Sequence, residues 1–297
     1  MPVVNKRGVL SGITVEKVMR RQLIRLSRNA SVDHCINRMV KFKINSVLVT
    51  DDRQQPMGIV SKTDIVSAFY AGFPVETAIE HIMVGPLLQC FPDDELENAM
   101  DVMQTNHVHR LYVRGADTGE VVGVLAYPDV VGLLYRHCRA CSRGIRVARR
   151  KGDEAGRQRL RVKEVMTDEV TANGETDPLA SVIESLTAHR LGAVLIRNRQ
   201  GKPVGVVSKS DLILAYKHRL ELDNKAGLVM NSPVHSCDKE AELTDAIQQM
   251  LLLDVQRIFV HSELTDRIVG VVSLSDAARF RAGSCRACIS SRMMVPS

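Results

Sequence analysis

The sequence predicts an α+β fold built from four copies of one β-α-β-β-α unit, and three observations predict it. An apolar–Met pair recurs at Val18-Met19, Ile82-Met83, Val165-Met166 and Val229-Met230. A Gly-led apolar strand follows each pair and runs into an Asp 45 or 46 residues beyond the Met, at Asp64, Asp129, Asp211 and Asp276. The second half of the chain repeats the first at an offset of 147, mapping Met19 to Met166, Gly58 to Gly205, Met83 to Met230 and Asp129 to Asp276 without a net insertion. A two-unit ancestor duplicated whole is the simplest account, and such internal repetition decides the architecture before any local propensity does.

The elements of each unit follow in order. After the apolar–Met pair comes a segment of helical period, with Val32, Ile36, Met39 and Val40 on one face of the first. The matching stripes are Leu96, Met100 and Met103, then Leu179, Ile183 and Leu186, then Leu243, Ile247 and Met250. Spacings of three and four make these amphipathic helices. A short apolar strand follows at 46–49, 110–113, 193–196 and 257–260, then a polar turn, then the Gly-led strand, so that each pair of strands reads as a hairpin. A second helix starts at once and carries the Asp near its beginning. One unit of about 60 residues can hardly bury its own helix stripes, so the units are expected to pair.

Composition sets the outer limits. Of the 297 residues 45% are apolar and 25% charged, which excludes general disorder, a collagen-like chain and a disulfide scaffold. No run approaches the roughly 20 apolar residues that span a bilayer, and residues 1–12 hold no apolar core of a secretory signal, so a cytoplasmic protein with no membrane partner is expected. There is no Trp and there are only five Tyr and six Phe, too few for a base-stacking platform. The net charge of +6 is concentrated: residues 136–161 hold ten Lys/Arg and two acids, leaving 30 basic against 32 acidic residues elsewhere. Residues 277–297 add four Arg and no acid. These two segments read either as solvated linker and tail or as contact points for an acidic partner, nucleic acid included.

The four strand-to-helix turns read Gly58-Ile-Val-Ser-Lys-Thr-Asp64, Gly123-Val-Leu-Ala-Tyr-Pro-Asp129, Gly205-Val-Val-Ser-Lys-Ser-Asp211 and Gly270-Val-Val-Ser-Leu-Ser-Asp276. With the apolar–Met starts they resemble the CBS (cystathionine β-synthase) domain over about residues 15–281. The resemblance implies units at 15–72, 76–137, 162–221 and 226–281, with a basic linker at 138–161 and a basic tail at 282–297. It implies tandem pairs of units, each related by a pseudo-twofold axis. Four-unit members such as the gamma subunit of AMP-activated protein kinase form a flat disc of two pairs. It also implies a regulatory, non-catalytic module. Adenosyl ligands (AMP, ADP, ATP or S-adenosylmethionine) bind in clefts between paired units, and occupancy is transmitted allosterically as in energy sensing. No resident cofactor is required. A homo-oligomer and an unidentified protein partner are expected with it. No P-loop, metalloenzyme motif or nucleophile–base pair points to an enzyme.

The residues themselves are suited to that use. A strand that feeds a helix leaves free N–H groups at the helix start, where the dipole favours phosphate oxygens. Ser61, Thr63, Ser208, Ser210, Ser273 and Ser275 add hydroxyls, and a carboxylate at Asp64, Asp129, Asp211 or Asp276 can accept both hydroxyls of a ribose. The same Ser-x-x-Asp spacing also forms a helix capping box, which needs no ligand. Just before the strands of the second and fourth units stand His107-Val-His109-Arg110 and Asp254-Val-Gln256-Arg257. In the gamma-subunit pattern similar His and Arg residues meet phosphates, and a guanidinium can do so through forked hydrogen bonds. A surface cluster beside a sheet edge is the alternative. The second unit departs from the motif: Ala126 and Pro128 replace hydroxyl residues and Tyr127 is bulky, so its cleft is expected to be weakened or closed.

Seven Cys complete the inventory, and two copies of Cys-Arg-Ala-Cys stand out, Cys138 with Cys141 and Cys285 with Cys288. Four thiolates could hold a tetrahedral zinc, the pairs could be redox-active, or they could be inert remnants of the duplication. A metal- or redox-responsive adaptor with vestigial nucleotide clefts is therefore the alternative function. Cys35 lies beside an apolar stripe and reads as core.

Overall fold

The structure, a computed structural model, describes residues 10, 12–116, 119–135, 160–262 and 267–284. It contains four three-stranded sheets. In the first unit they are β1 (Arg25–Ser27), β2 (Ser46–Thr50) and β3 (Pro56–Ser61); in the second, β4 (Gln89–Cys90), β5 (Arg110–Arg114) and β6 (Val121–Ala126). The third unit has β7 (Ala172–Gly174), β8 (Ala193–Arg197) and β9 (Pro203–Ser208), and the fourth β10 (Ser236–Asp238), β11 (Arg257–Ser262) and β12 (Arg267–Ser273). In every sheet the first strand runs parallel to the second and the second antiparallel to the third.

A parallel neighbour needs a crossover, and an amphipathic helix supplies it each time: α1 (Val32–Lys41), α3 (Leu96–Thr105), α5 (Leu179–Ala188) and α7 (Leu243–Leu252). A second helix leaves each third strand: α2 (Lys62–Tyr70), α4 (127–135), α6 (Lys209–Lys217) and α8 (Leu274–Ser284). All predicted stripe residues are buried except Val40, which is 46% exposed. Eight positions on from Val32 lies about 80° round the helix, at the stripe's edge. Cys35, fully buried, lies about 60° round on the other side of Val32 and widens the buried face there.

The described residues divide into two compact bodies. The odd body, from Gln22–Leu88 and Val170–His235, holds the sheets of the first and third units. Its core joins Ile36, Met39 and Val60 to Ile183, Leu186 and Val207. There α2 packs on α6, with the Phe69 and Tyr216 rings stacked at 4.9 Å and the Tyr216 hydroxyl donating to the Phe73 carbonyl at 2.6 Å. The even body, from Met1–Arg21, Gln89–Glu169 and Ser236–Ser297, holds the sheets of the second and fourth units. Met103, Leu111 and Leu125 share its core with Met250, Ile258 and Val272.

Each apolar–Met segment lies on the sheet of its tandem neighbour. Arg20, just after Met19, exchanges two backbone hydrogen bonds with Val124, both 2.9 Å. Val84 does the same with Ile59, Thr167 with Val271 and Asn231 with Val206. Glycine at the start of each motif is what admits this approach. A Cβ on Gly58 would stand 2.6 Å from the Val84 carbonyl oxygen, and one on Gly123, Gly205 or Gly270 would stand 2.7–2.9 Å from the sulfur of Met19, Met230 or Met166. Opposite each Gly the hairpin register shifts, at Val49/Thr50, Val113/Arg114, Ile196/Arg197 and Val260/His261. At Gly123, Gly205 and Gly270 the motif's glycine and methionine are two halves of one contact.

Gly58→Ala is therefore expected to lower stability by roughly 1–3 kcal/mol, because backbone atoms cannot give way to the new methyl. In Gly132→Ala the methyl meets nothing within 4 Å, and that helical substitution should stabilise by up to about 1 kcal/mol. Urea melts of the two variants check both signs.

Candidate functional site

The four strand-to-helix turns share one geometry. Ser61, Ser208 and Ser273 end their strands, and the Ser61 and Ser208 backbones are extended, with φ near −105° and −109°. Three residues on, the Asp carboxylate turns back. Oδ2 of Asp64 accepts from the Ser61 N–H and hydroxyl at 2.7 Å each, and Oδ2 of Asp211 accepts likewise from Ser208. Oδ2 of Asp276 accepts from the Ser273 N–H at 3.0 Å and its hydroxyl at 2.6 Å. In the second unit Ala126 has no hydroxyl, and its N–H alone donates to Asp129 Oδ2 at 3.0 Å. The carboxylate's bond back to the N–H three residues before it is thus formed in all four turns and takes one oxygen in each; a side chain at the N-cap joins it only at Ser61, Ser208 and Ser273.

The second oxygen distinguishes them. Oδ1 of Asp129 pairs with Arg20 Nε at 2.7 Å, and Oδ1 of Asp211 accepts from Asn231 Nδ2 at 2.7 Å. The corresponding oxygens of Asp64 and Asp276 have no hydrogen-bond partner among the described residues. The neighbours that decide this are the residues directly after the Met of the tandem unit: Arg20, Val84, Thr167 and Asn231. Sequence reasoning passed over Arg20 and Asn231, because each stands far along the chain from the Asp it meets. Their fixed place after the Met was the available signal.

The remaining hydroxyls differ too. Lys62 Nζ donates to Ser210 at 2.7 Å and Lys209 Nζ to Thr63 at 2.8 Å, so the two turns of the odd body are cross-linked by a reciprocal pair of lysines. Those lysines also lay outside the candidate set. Ser275 has no hydrogen-bond partner among the described residues.

The basic residues lie in the even body. Arg110 is half-buried, and burial pushes its pKa down; Tyr112 opposes the shift, Arg20 adds to it and Asp129 opposes it. Burial pushes Asp129 up, against the lowering pull of Arg20. Arg257 is half-buried, lowered by burial and held up by the charge of Asp276. A cation kept from water beside an incompletely engaged carboxylate suits an anionic group carried on a hydrogen-bond donor. His107 is exposed and left-handed (φ 53°), as are Lys43, Arg190 and Asp254 at the ends of the corresponding helices. That placement makes it part of the helix termination. His109 sets its ring edge-on to Tyr127 at 5.9 Å. Tyr127 is buried, with the Arg279 guanidinium 5.1 Å over its ring and Arg279 Nε 3.3 Å from its hydroxyl.

Cys138, Cys141, Cys285 and Cys288 lie outside the described residues. Cys35, Cys90 and Cys237 are buried free thiols, pushed by burial up to about 12, 12 and 11. Among the described residues no group of three or more His, Cys, Asp or Glu is placed to hold a metal, and no helix is long and apolar enough to cross a membrane.

Comparison with known proteins places this geometry. The CBS domain model matches residues 15–71, 79–136, 162–218 and 226–283. The uncharacterized protein MJ1225 of Methanocaldococcus jannaschii is 20% identical over 216 residues, covering 70% of this chain and 72% of its own. The gamma-3 subunit of 5'-AMP-activated protein kinase of Bos taurus is 26% identical over 202 residues, covering 64% of this chain and 38% of the subunit. The chain thus spans less than half the length of that kinase subunit. The crystal structure of MJ1225 matches with a TM-score of 0.74 at 15% identity, over 90% of this chain and 99% of the other. An uncharacterized conserved protein from Pyrococcus horikoshii matches with a TM-score of 0.59 at 14% identity, over 91% and 100%. These two likenesses are of fold.

Two outcomes separate capping from other roles of the turn. Ser273→Ala should lower stability by about 1 kcal/mol through loss of the cap, whereas Ser275→Ala should stay within about 0.5 kcal/mol; thermal melts check the pair. The raised thiols predict that Cys35, Cys90 and Cys237 resist iodoacetamide at pH 8 until the chain unfolds, which peptide mass spectrometry reads directly.

Proposed function

The chain belongs to the CBS domain family, and from that premise we propose that it is a non-catalytic regulatory module binding adenosyl ligands at its strand-to-helix turns. The observation that carries the reading is the fourth unit's turn. Asp276 spends one oxygen on the helix cap and keeps the other for a hydroxyl; Ser275 has an unengaged hydroxyl among the described residues; and Arg257, lowered by burial, feels the Asp276 charge. A ribose diol on the Asp276 oxygen, with phosphate directed to the helix start and Arg257, satisfies all three. The first unit's turn offers the same carboxylate oxygen at Asp64, with Lys209 on Thr63 beside it.

The half-buried Arg257 guanidinium favours a phosphate-bearing ligand, AMP, ADP or ATP, over the sulfonium cation of S-adenosylmethionine. The relation to a subunit of 5'-AMP-activated protein kinase supports the energy-sensing form of this reading. Regulation follows if the ligand prefers one arrangement of the module over another, since coupling requires differential affinity. The Met segment provides a route: Thr167, which follows the Met that opens the third unit, is bridged to Val271 of the fourth. A protein partner, and a second copy of the chain, would read that change in a cytoplasmic setting.

Titration calorimetry on reduced, metal-defined protein with AMP, ADP, ATP and S-adenosylmethionine tests the proposal. Saturable binding of an adenine nucleotide is expected, with Asp276→Ala and Asp64→Ala each weakening its own site by about 10-fold or more through loss of a charged hydrogen bond. No heat and no thermal shift from any of the four overturns it.

A further inference from the structure

The four turns are built alike, yet two keep an open carboxylate oxygen and two do not, and the difference lies in one position. Val84 and Thr167 hold the equivalent bridge positions, to Ile59 and Val271, five residues before the open Asp64 and Asp276; Arg20 and Asn231 bond the occupied Asp129 and Asp211. The geometry points to Arg20 as a built-in occupant that closes the second unit's turn to vicinal diols, so that the residue after each apolar–Met pair selects which turns take a ligand. This rests on the adenosyl-binding reading and extends it to specificity.

The observations at this turn converge. Both oxygens of Asp129 are engaged, Oδ1 by Arg20 Nε at 2.7 Å and Oδ2 by the Ala126 N–H at 3.0 Å. The Asp129 side chain is only 10% exposed, whereas that of Arg20 is 52% exposed, so the arginine covers the carboxylate from the solvent side. A ribose hydroxyl must displace a charged, well-aligned donor to reach Oδ1, and a neutral hydroxyl bonds a carboxylate less strongly than a guanidinium does. Pro128 also takes one N–H from the first turn of α4, which lowers what the helix start can offer a phosphate. Tyr127, between Ala126 and Pro128 in the same turn, is buried with the Arg279 guanidinium over its ring. The Asn231 amide at Asp211 is a weaker version of the same device: it is neutral, and rotation of one side chain removes it.

The test counts sites. Calorimetric stoichiometry for the tightest nucleotide of the panel is measured on the wild-type chain, Arg20→Thr, Arg20→Val and Arg20→Thr/Asp129→Ala. Thr and Val stand at the equivalent positions of the open turns, so the fold accommodates both at this bridge. The expected result is one additional site in Arg20→Thr and Arg20→Val, lost again when Asp129 is also removed. Unchanged stoichiometry in both folded single variants overturns the inference while leaving the wild-type binding, and hence the adenosyl reading, intact. A gain that survives Asp129→Ala overturns it as well, because the new site would then lie elsewhere. Absence of binding in the wild-type chain and in both variants overturns the inference together with the function on which it rests. Binding that appears only once Arg20 is removed supports it.

Discussion

The contact on which the rest depends is the approach of each apolar–Met segment to the Gly-led strand of its tandem neighbour. Backbone comes within hydrogen-bonding range of backbone at Arg20 and Val124, and at three equivalent places. That approach is available only where no Cβ intervenes. Four glycines and the methionines that lie against three of them therefore carry more of the architecture than their number suggests. Each holds the Met segment of one unit against the strand of the unit adjacent in sequence: Met19 lies against Gly123, and the Val84 carbonyl against Gly58. The same contact brings a side chain of the Met segment onto the carboxylate of two turns, Arg20 onto Asp129 and Asn231 onto Asp211.

Folding chemistry and binding chemistry then draw on one carboxylate. Each Asp must cap its helix, and an uncapped start would leave several N–H groups unsatisfied. Oδ2 is spent on that task in all four turns. What remains for a ligand is a single oxygen, and its availability is set by the residue across the bridge rather than by the motif. On the proposed reading a capping box and a ligand site are therefore not rival descriptions of Ser-x-x-Asp. The first is common to Asp64, Asp211 and Asp276, and the second is what the first leaves over.

The α+β class, the four units and the crossover helices were legible because they depend on spacing, and spacing survives in a sequence without any knowledge of partners. Val40 shows the limit of that legibility: its periodicity is good to a turn or so, and the fully buried Cys35 holds the face that Val40 only borders. The division into odd and even bodies was not legible. All four stripes are apolar, and nothing in their spacing says that α2 faces α6, a choice made by side chains such as Phe69 and Tyr216 fitting together. At the turns, Asp64, Asp129, Asp211 and Asp276 could be picked out by their motif. Arg20, Asn231, Lys62 and Lys209 could not, because each acts on a residue at least 20 positions away, three of them more than 100.

Duplication supplies four equivalent turns, but equivalence of backbone does not impose equivalence of charge. In the odd body two lysines cross between Lys62–Ser210 and Lys209–Thr63, tying both turns together. In the even body the same positions are Tyr127 and Leu274, and the cations stand instead on the strands, at Arg110 and Arg257. One of these two arginines shares its carboxylate with Arg20, while the other faces an Asp with an oxygen to spare. A carboxylate that already holds a cation on its second oxygen, as Asp129 holds Arg20, has less to offer a diol. One whose second oxygen is open presents an acceptor beside the positive charge of its arginine, the combination a nucleoside phosphate requires. The pseudo-symmetry of the chain thus fixes where four turns stand, and the residue at the bridge distinguishes the turns whose second carboxylate oxygen is engaged from those where it is open.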